Sequence, residues 1–134
     1  MIIQLSNPLM VSHILALAKS VPNVPLEHLE KMLLSAINDK DSAIYIDEKD
    51  GDVNGFVLVS REVWEGEPVC FLQFAVIKPI REEKYIGFEL LAKIRLWAKD
   101  KGLKKIITVV RRNVDGFKKK YHFELDGYLL QRSV

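Results

Sequence analysis

The sequence predicts a mixed α/β fold of the α+β kind, with a mostly antiparallel central sheet flanked by helices in the order β-α-α-β-β-β-α-β-α-β. Three observations predict it. Two stretches with helical spacing of apolar residues come before any long β-type run. Successive β-type stretches then follow with short hydrophilic connections, which makes an antiparallel meander. The next β-type stretch is separated from the meander by a helix-length segment, which favours parallel pairing across a crossover.

Ile2 to Leu5 read as a short strand, and Ser6-Asn7-Pro8 offers a helix start with an Asn or Ser cap and Pro in the first turn. Val11, Ile14, Leu15 and Leu17 recur at near-helical spacing until Pro22, Asn23 and Pro25 break the pattern. In a second helix, Leu26 to Asn38, the residues Leu26, Leu29, Met32, Leu33 and Ile37 share a face while Glu27, Glu30 and Lys31 look outward. Ala43 to Ile46 is β-like, Glu48 to Asp52 is a hydrophilic turn, and Gly55 to Val59 is the returning strand. Arg61 to Pro68, with Trp64 and Gly66 inside it, reads as a second hairpin connection. Val69 to Ile77 is the next strand, apolar from Cys70 onward except at Gln73, and so expected to be covered on both faces. After a loop from Lys78 to Tyr85, the residues Ile86, Leu90, Leu91, Ile94 and Ala98 form one helical stripe, closed at Lys101-Gly102 by a left-handed glycine. Lys105 to Val110 is a β-branched strand, Phe117 to Tyr121 a short helix, and Gly127 to Gln131 a closing strand.

The 134 residues fit one domain spanning 1–134, long enough to bury a core. Twenty Lys plus Arg against eighteen Asp plus Glu leave a net charge of only +2, so no overall field draws the chain to nucleic acid or an anionic membrane. Lys118-Lys119-Lys120, Arg111, Arg112, Lys104 and Lys105 concentrate positive charge locally but without interleaved aromatics, which reads as a solvated face. The single Cys70 excludes an internal disulfide and reads as a small core residue, and no Cys/His spacing resembles a metal site. No apolar run approaches the ~20 residues that span a bilayer. No basic stretch precedes the N-terminal apolar patch either, so the expectation is a cytoplasmic protein. Trp97 is expected to pack on the sheet and Trp64 to be exposed in its hairpin, while His13 and His28 carry no pattern.

The stretch from Phe71 to Ala98 carries the chemistry. A strand that runs through a loop into a helix leaves the first N–H groups of the helix unpaired above the strand end, a place that suits a phosphate or another anion.

On these residues and motifs the chain resembles the GNAT superfamily, the Gcn5-related N-acetyltransferases, over roughly residues 1 to 131. Gly55-Phe56-Val57 is similar to the family's third strand, Ile77-Lys78-Pro79 to its Val-x-Pro, and Gly87-Phe88-Glu89-Leu90-Leu91 to its Gly-x-x-Leu-Leu. Trp97-Ala98 through Gly102-Leu103 to Ile106 resembles its next helix, cap and strand, and Phe117 to Phe123 with Asp126-Gly127-Tyr128 its ending. The resemblance implies a GNAT-like fold whose two central strands splay apart, with acetyl-CoA in the gap and its pantetheine arm paired to the backbone of Ala75, Val76 and Ile77. It implies a pyrophosphate seat on Arg/Gln-x-x-Gly-x-Gly/Ala, which falls without a gap on Glu82 to Gly87. The implied cofactor contacts are Arg81, Lys84, Tyr85, Ile86, Gly87 and Phe88, with Asn113 further on. Only the last position of that loop matches. Glu82 opposes a pyrophosphate by charge, and Tyr85 carries a Cβ where the family has Gly, whereas Arg81 and Lys84 supply attraction.

Transfer of an acetyl group to an amine needs a base for the amine and an acid for the departing thiolate. The strand from Val69 to Ile77 has no carboxylate, so Glu67, with Glu65 beside it, is the candidate base. The family's tyrosine acid falls on Lys118; Tyr121, one turn later, is the candidate substitute, and His122 stands where the family has Gly. The first expectation is therefore an acetyl-CoA-dependent N-acetyltransferase acting on a small-molecule or peptide amine by direct attack in a ternary complex. The alternative, which the degenerate loop favours, is a catalytically inactive GNAT-fold binding or structural module in a larger assembly, a phage particle included, with a protein partner or a second copy of itself.

Overall fold

The computed structural model of the chain describes residues 1–21, 24–109, 114–121, 123, 124 and 132. β1 (Ile2–Gln4) leads into a 3₁₀ turn (Pro8–Met10), α1 (Val11–Lys19) and α2 (Leu26–Ile37). The Asn7 side chain accepts from the Leu9 N–H at 3.0 Å, the cap that the Ser-Asn-Pro sequence offered. β2 (Ser42–Lys49), β3 (Asp52–Trp64) and β4 (Glu67–Ile77) follow, then α3 (Glu83–Asp100), β5 (Ile106–Thr108) and α4 (Val114–Tyr121). The sheet runs in the order β1-β2-β3-β4-β5, antiparallel at every junction except the parallel β4–β5 pair. The expected mixed sheet and its one parallel crossover are thus both present. The expected closing strand, Gly127 to Gln131, lies outside the described residues.

The meander is longer than its expected strands. Both hairpins close on two-residue turns with both φ positive, Asp50-Gly51 (53° and 84°) and Glu65-Gly66 (52° and 80°). These turns suit the twist of paired strands. Arg61 to Trp64 are therefore not connection but ladder, with Arg61↔Cys70, Glu62↔Val69, Val63↔Pro68 and Trp64↔Glu67 in register. Their charge concealed it: this end of the hairpin extends beyond the covering helices, and its side chains are exposed.

Alternation along the strands feeds two cores. Phe56 and Leu58 join Leu5, Ile14, Leu29 and Leu33 under α1 and α2. Val57 and Val59 join Cys70, Leu90, Ile94 and Trp97 under α3. α3 ends on Gly102 at φ 72°, where the Leu103 N–H donates to the Ala98 carbonyl at 2.8 Å, the left-handed cap that the sequence called for.

Candidate active site

β4 is the strand on which the site is organised. On its β3 side it is paired along its whole length, from Trp64↔Glu67 to Gly55↔Ile77. On the other side β5 holds it only at Cys70↔Ile106, Phe71↔Ile107 and Leu72↔Thr108, and the Thr108 hydroxyl donates to the Leu72 carbonyl at 3.0 Å on the last rung. From Gln73 to Ile77 no described strand pairs with that edge. The register of β3 against β4 breaks at the same level: Leu58 faces Phe74 and Val59 faces Leu72, so Gln73 is the extra residue of a bulge. A bulge bends the strand and raises its twist, and this one falls one residue past the last described rung that β4 shares with β5. Ala75 is exposed, and Phe71, Gln73, Phe74 and Ile77 are only half-buried. The expectation that both faces of this strand are covered is therefore corrected; the apolar run lines an open edge as well as a core.

The edge ends where α3 begins. α3 starts at Glu83 rather than after Tyr85, so the predicted loop from Glu82 to Gly87 is mostly first-turn helix. Carboxylates complement the positive end of a helix, which explains why a charged segment that reads as loop continues as helix. The Glu83 N–H donates to the Ile80 carbonyl and the Ile86 N–H to the Glu82 carbonyl, both at 3.0 Å. The N–H groups of Glu82, Lys84 and Tyr85 stand among those that a helix cannot pair within itself. Glu82 sits at the cap position without making a side-chain cap. The Glu83 carboxylate is 4.0 Å from the Lys120 ammonium, which offsets part of its charge. Arg81, Glu82, Lys84, Tyr85 and Phe88 are exposed, with the Lys84 ammonium 5.8 Å from the centre of the Phe88 ring.

Four of the sequence-predicted residues converge here. The Tyr121 ring meets Phe88 edge-on at 5.7 Å. A Cβ added at Gly87 would run into the Tyr121 hydroxyl and come within 3.2 Å of Ile77 Cδ1. Gly87 is thus the position that lets α4 lay a phenol against α3 at the end of the open edge. Ile86, by contrast, turns into the core, where its Cγ2 approaches the place a Cβ on Gly55 would take. Asn113 and His122 lie outside the described residues.

Glu67 goes elsewhere. It stands at the start of β4, six positions before Gln73 and so ~20 Å along the strand, and the Lys105 ammonium is 3.3 Å from its carboxylate. Glu65 occupies the hairpin turn at φ 52°. The carboxylate near the bulge is one the sequence did not single out, Glu62. The buried Ser60 hydroxyl donates to Glu62 Oε1 at 3.0 Å, and Gln73 Nε2 donates to that same hydroxyl. The chain Gln73–Ser60–Glu62 borders a cavity of about 410 Å³ between α2 and the β3–β4 hairpin. The signal was present as the alternation Ser60, Glu62, Trp64, which became legible only once that segment was known to be strand.

Burial pushes the Cys70 thiol up to about 12, and the Tyr45 hydroxyl also upward, chiefly by burial with the Asp100 and Cys70 charges adding to it. Neither group is available as a proton carrier near neutral pH. Among the described residues no group of His, Cys, Asp and Glu is arranged to hold a metal ion.

A search of curated protein sequences finds no match. Solved structures match in fold over almost the whole chain. Aminoglycoside N-acetyltransferase AAC(6')-Iy in complex with CoA shares 20% identity at a TM-score of 0.80, covering 99% of this chain and 93% of its own. The same enzyme with the bisubstrate analogue CoA-S-monomethyl-acetylneamine gives 19% and 0.81, covering 100% and 97%. Aminoglycoside 6'-N-acetyltransferase AAC(6')-Ih from Acinetobacter baumannii shares 15% at 0.82, with 100% and 97% covered. The sequence profile of the acetyltransferase (GNAT) family matches residues 11–121, and with it the mixed sheet, the α3 junction and the family resemblance converge: the chain belongs to the GNAT acetyltransferase family.

Proposed function

We propose that the chain is an active N-acetyltransferase that takes acetyl-CoA along the open edge of β4 and delivers the acetyl group to an amine entering from the α2 side. The observation that carries this reading is the coincidence of three features on one strand: the bulge at Gln73, the stretch to Ile77 that no described strand pairs on the β5 side, and the α3 N-terminus that follows it. Exposed Ala75 and the half-buried Ile77 leave the backbone of that edge open to the amide-bearing pantetheine arm. The N–H groups of Lys84 and Tyr85, with the Arg81 and Lys84 side chains, face the pyrophosphate. Acetyl-CoA supplies the acetyl group as an activated thioester.

The amine nitrogen, the acetyl carbonyl carbon and the sulfur share one reaction centre, which we place along this edge between Gln73 and Ile77. From the Gln73 side, Glu62 takes the proton that the amine nitrogen must lose, directly or through water, and passes it to solvent. From the Ile77 side, the Tyr121 hydroxyl gives a proton to the departing sulfur and recovers one from solvent. The new C–N bond thus replaces the C–S bond with no net charge left on either product. Glu62 replaces Glu67 in the role of base, because Glu67 is held by Lys105 at the far end of β4. We read residues 1–134 as one domain acting in the cytoplasm, where acetyl-CoA is at hand. Among the described residues no helix is long and apolar enough to cross a membrane. The family match gives no support to the alternative of a non-catalytic module.

The test is thermal-shift and calorimetric titration with acetyl-CoA and CoA. A ligand at 100 times its dissociation constant adds about 2.7 kcal/mol of stability, an upward shift that is easily read. Absence of any shift at millimolar acetyl-CoA would sink the reading.

A further inference from the structure

We propose that the cavity between α2 and the β3–β4 hairpin is the acceptor subsite, and that it selects a singly charged primary amine carried on an apolar, aromatic-sized body. The inference rests on the transferase reading for its chemistry but on different atoms for its support. The cavity, about 410 Å³, lies within the usual range for small-molecule sites. Its described walls are mainly apolar: Met32 from α2, Val63 and Trp64 from β3, Phe71 and Phe74 from β4.

Into these walls the fold sets one carboxylate. Glu62 is the one acidic residue among those that line the cavity, and among the described residues no Lys, Arg or His comes within ion-pair distance of it. A carboxylate without an ion-pair partner, held in place by the buried Ser60 hydroxyl and lining the same cavity as Trp64, is a receptor for a cation. The Gln73 amide donates to Ser60, which donates in turn to Glu62, so the chain fixes the carboxylate and ties it to the bulge residue at the head of the edge. His28 also lines the cavity, from α2.

The same walls argue against a polyhydroxylated polycation. One carboxylate matches one ammonium, and further ammonium groups would meet Trp64, Phe71 and Phe74 with no counter-charge. Hydroxyl groups set against those rings would find no hydrogen-bond partners there, which disfavours such ligands relative to an apolar body. An arylalkylamine satisfies both halves of the site, its ring on the aromatic wall and its ammonium on Glu62.

The experiment is calorimetric titration of the whole chain, without acetyl-CoA, with 2-phenylethylamine, tryptamine, spermidine and neamine. The two arylalkylamines should bind saturably and more tightly than spermidine or neamine. Glu62→Gln should weaken them at least tenfold and Trp64→Ala severalfold, while Glu67→Gln binds as the unmodified chain does. Circular dichroism on each variant guards against a folding loss, which the exposure of Glu62 makes harmless to the test. No saturable binding of either arylalkylamine, tighter binding of spermidine or neamine, or an unchanged affinity in Glu62→Gln would overturn the proposal. The two failures separate cleanly. Loss of acetyl-CoA binding alone refutes the transferase reading and leaves the amine titration standing, whereas acetyl-CoA binding with a preference for polycations refutes the acceptor class alone.

Discussion

Tyr121 and Gly87 depend on each other at the level of single side chains. The absence of a Cβ at Gly87 makes the space that the Tyr121 hydroxyl fills, and Phe88 holds the ring from the side at 5.7 Å. If the phenol supplies the thiolate's proton, Tyr121→Phe should lower kcat by roughly a hundredfold, the scale of one acid–base group. The acetyl-CoA affinity, read by calorimetry, should stay within about twofold because the ring still packs on Phe88. A weakened affinity with kcat intact would assign Tyr121 to packing alone. The sequence made Tyr121 a candidate by its distance from a family position, but it had no means of pairing it with Gly87, which is far away in the chain. Glu62 shows the converse. Its neighbours along the chain read as turn, so the carboxylate nearest the bulge passed unnoticed while Glu67, equally visible, proved to be Lys105's partner.

Among the elements, the α3–sheet contact and the α3 N-terminus are where small changes tell. Gly55 lies on β3 directly under α3: a Cβ there would come to 2.9 Å from Ile86 Cγ2, 3.3 Å from Leu90 Cδ1 and 3.4 Å from the Val76 carbonyl. Gly55→Ala should therefore cost about 1–3 kcal/mol of stability in urea titration, the usual cost of overpacking, since two of the three neighbours are core side chains with little room to retreat. At the helix end, Glu82 places a charge beside the seat of the pyrophosphate. A charge near a helix N-terminus is worth about 0.3–1 kcal/mol. Glu82→Gln should thus tighten acetyl-CoA binding about two- to fivefold, more so at low salt. An affinity that does not move would mean that the pyrophosphate is not seated on this turn. That Glu83 to Tyr85 are helix could not be read from residue types alone, because the same acidic residues that mark a hydrophilic loop also favour the first turn of a helix.

At the scale of the whole molecule, the buried thiol links stability to alkaline pH. Cys70 is fully buried at the centre of the sheet, and burial pushes its pKa from 9.0 up to about 12. Between these values the unfolded chain releases the proton while the folded chain keeps it. Its contribution is therefore complete below about pH 9 and is lost as pH rises toward about 12, with Tyr45 acting in the same direction. Urea midpoints should fall steadily over that window, and the fall should be shallower in Cys70→Ala measured against its own value at pH 8. The thiol should also stay unreactive toward a disulfide reagent at pH 8 until denaturant unfolds the chain.

What the sequence determined alone is the succession of elements, because hydrophobic periodicity, Asn-Pro and Gly punctuation and the crossover rule are local signals. They gave the two leading helices, the meander, the parallel β4–β5 pair and the strand-to-helix junction that bears the site. They also gave the family resemblance, since its motifs are strung along those same elements. Only the tertiary structure decided where the described pairing of β5 with β4 falls, how far the β3–β4 hairpin extends beyond the helices, and which carboxylate shares a wall with the bulge. Those features depend on register and on side chains remote in sequence, and a single-residue bulge at Gln73 shifts every later partner by one without leaving a mark in residue type.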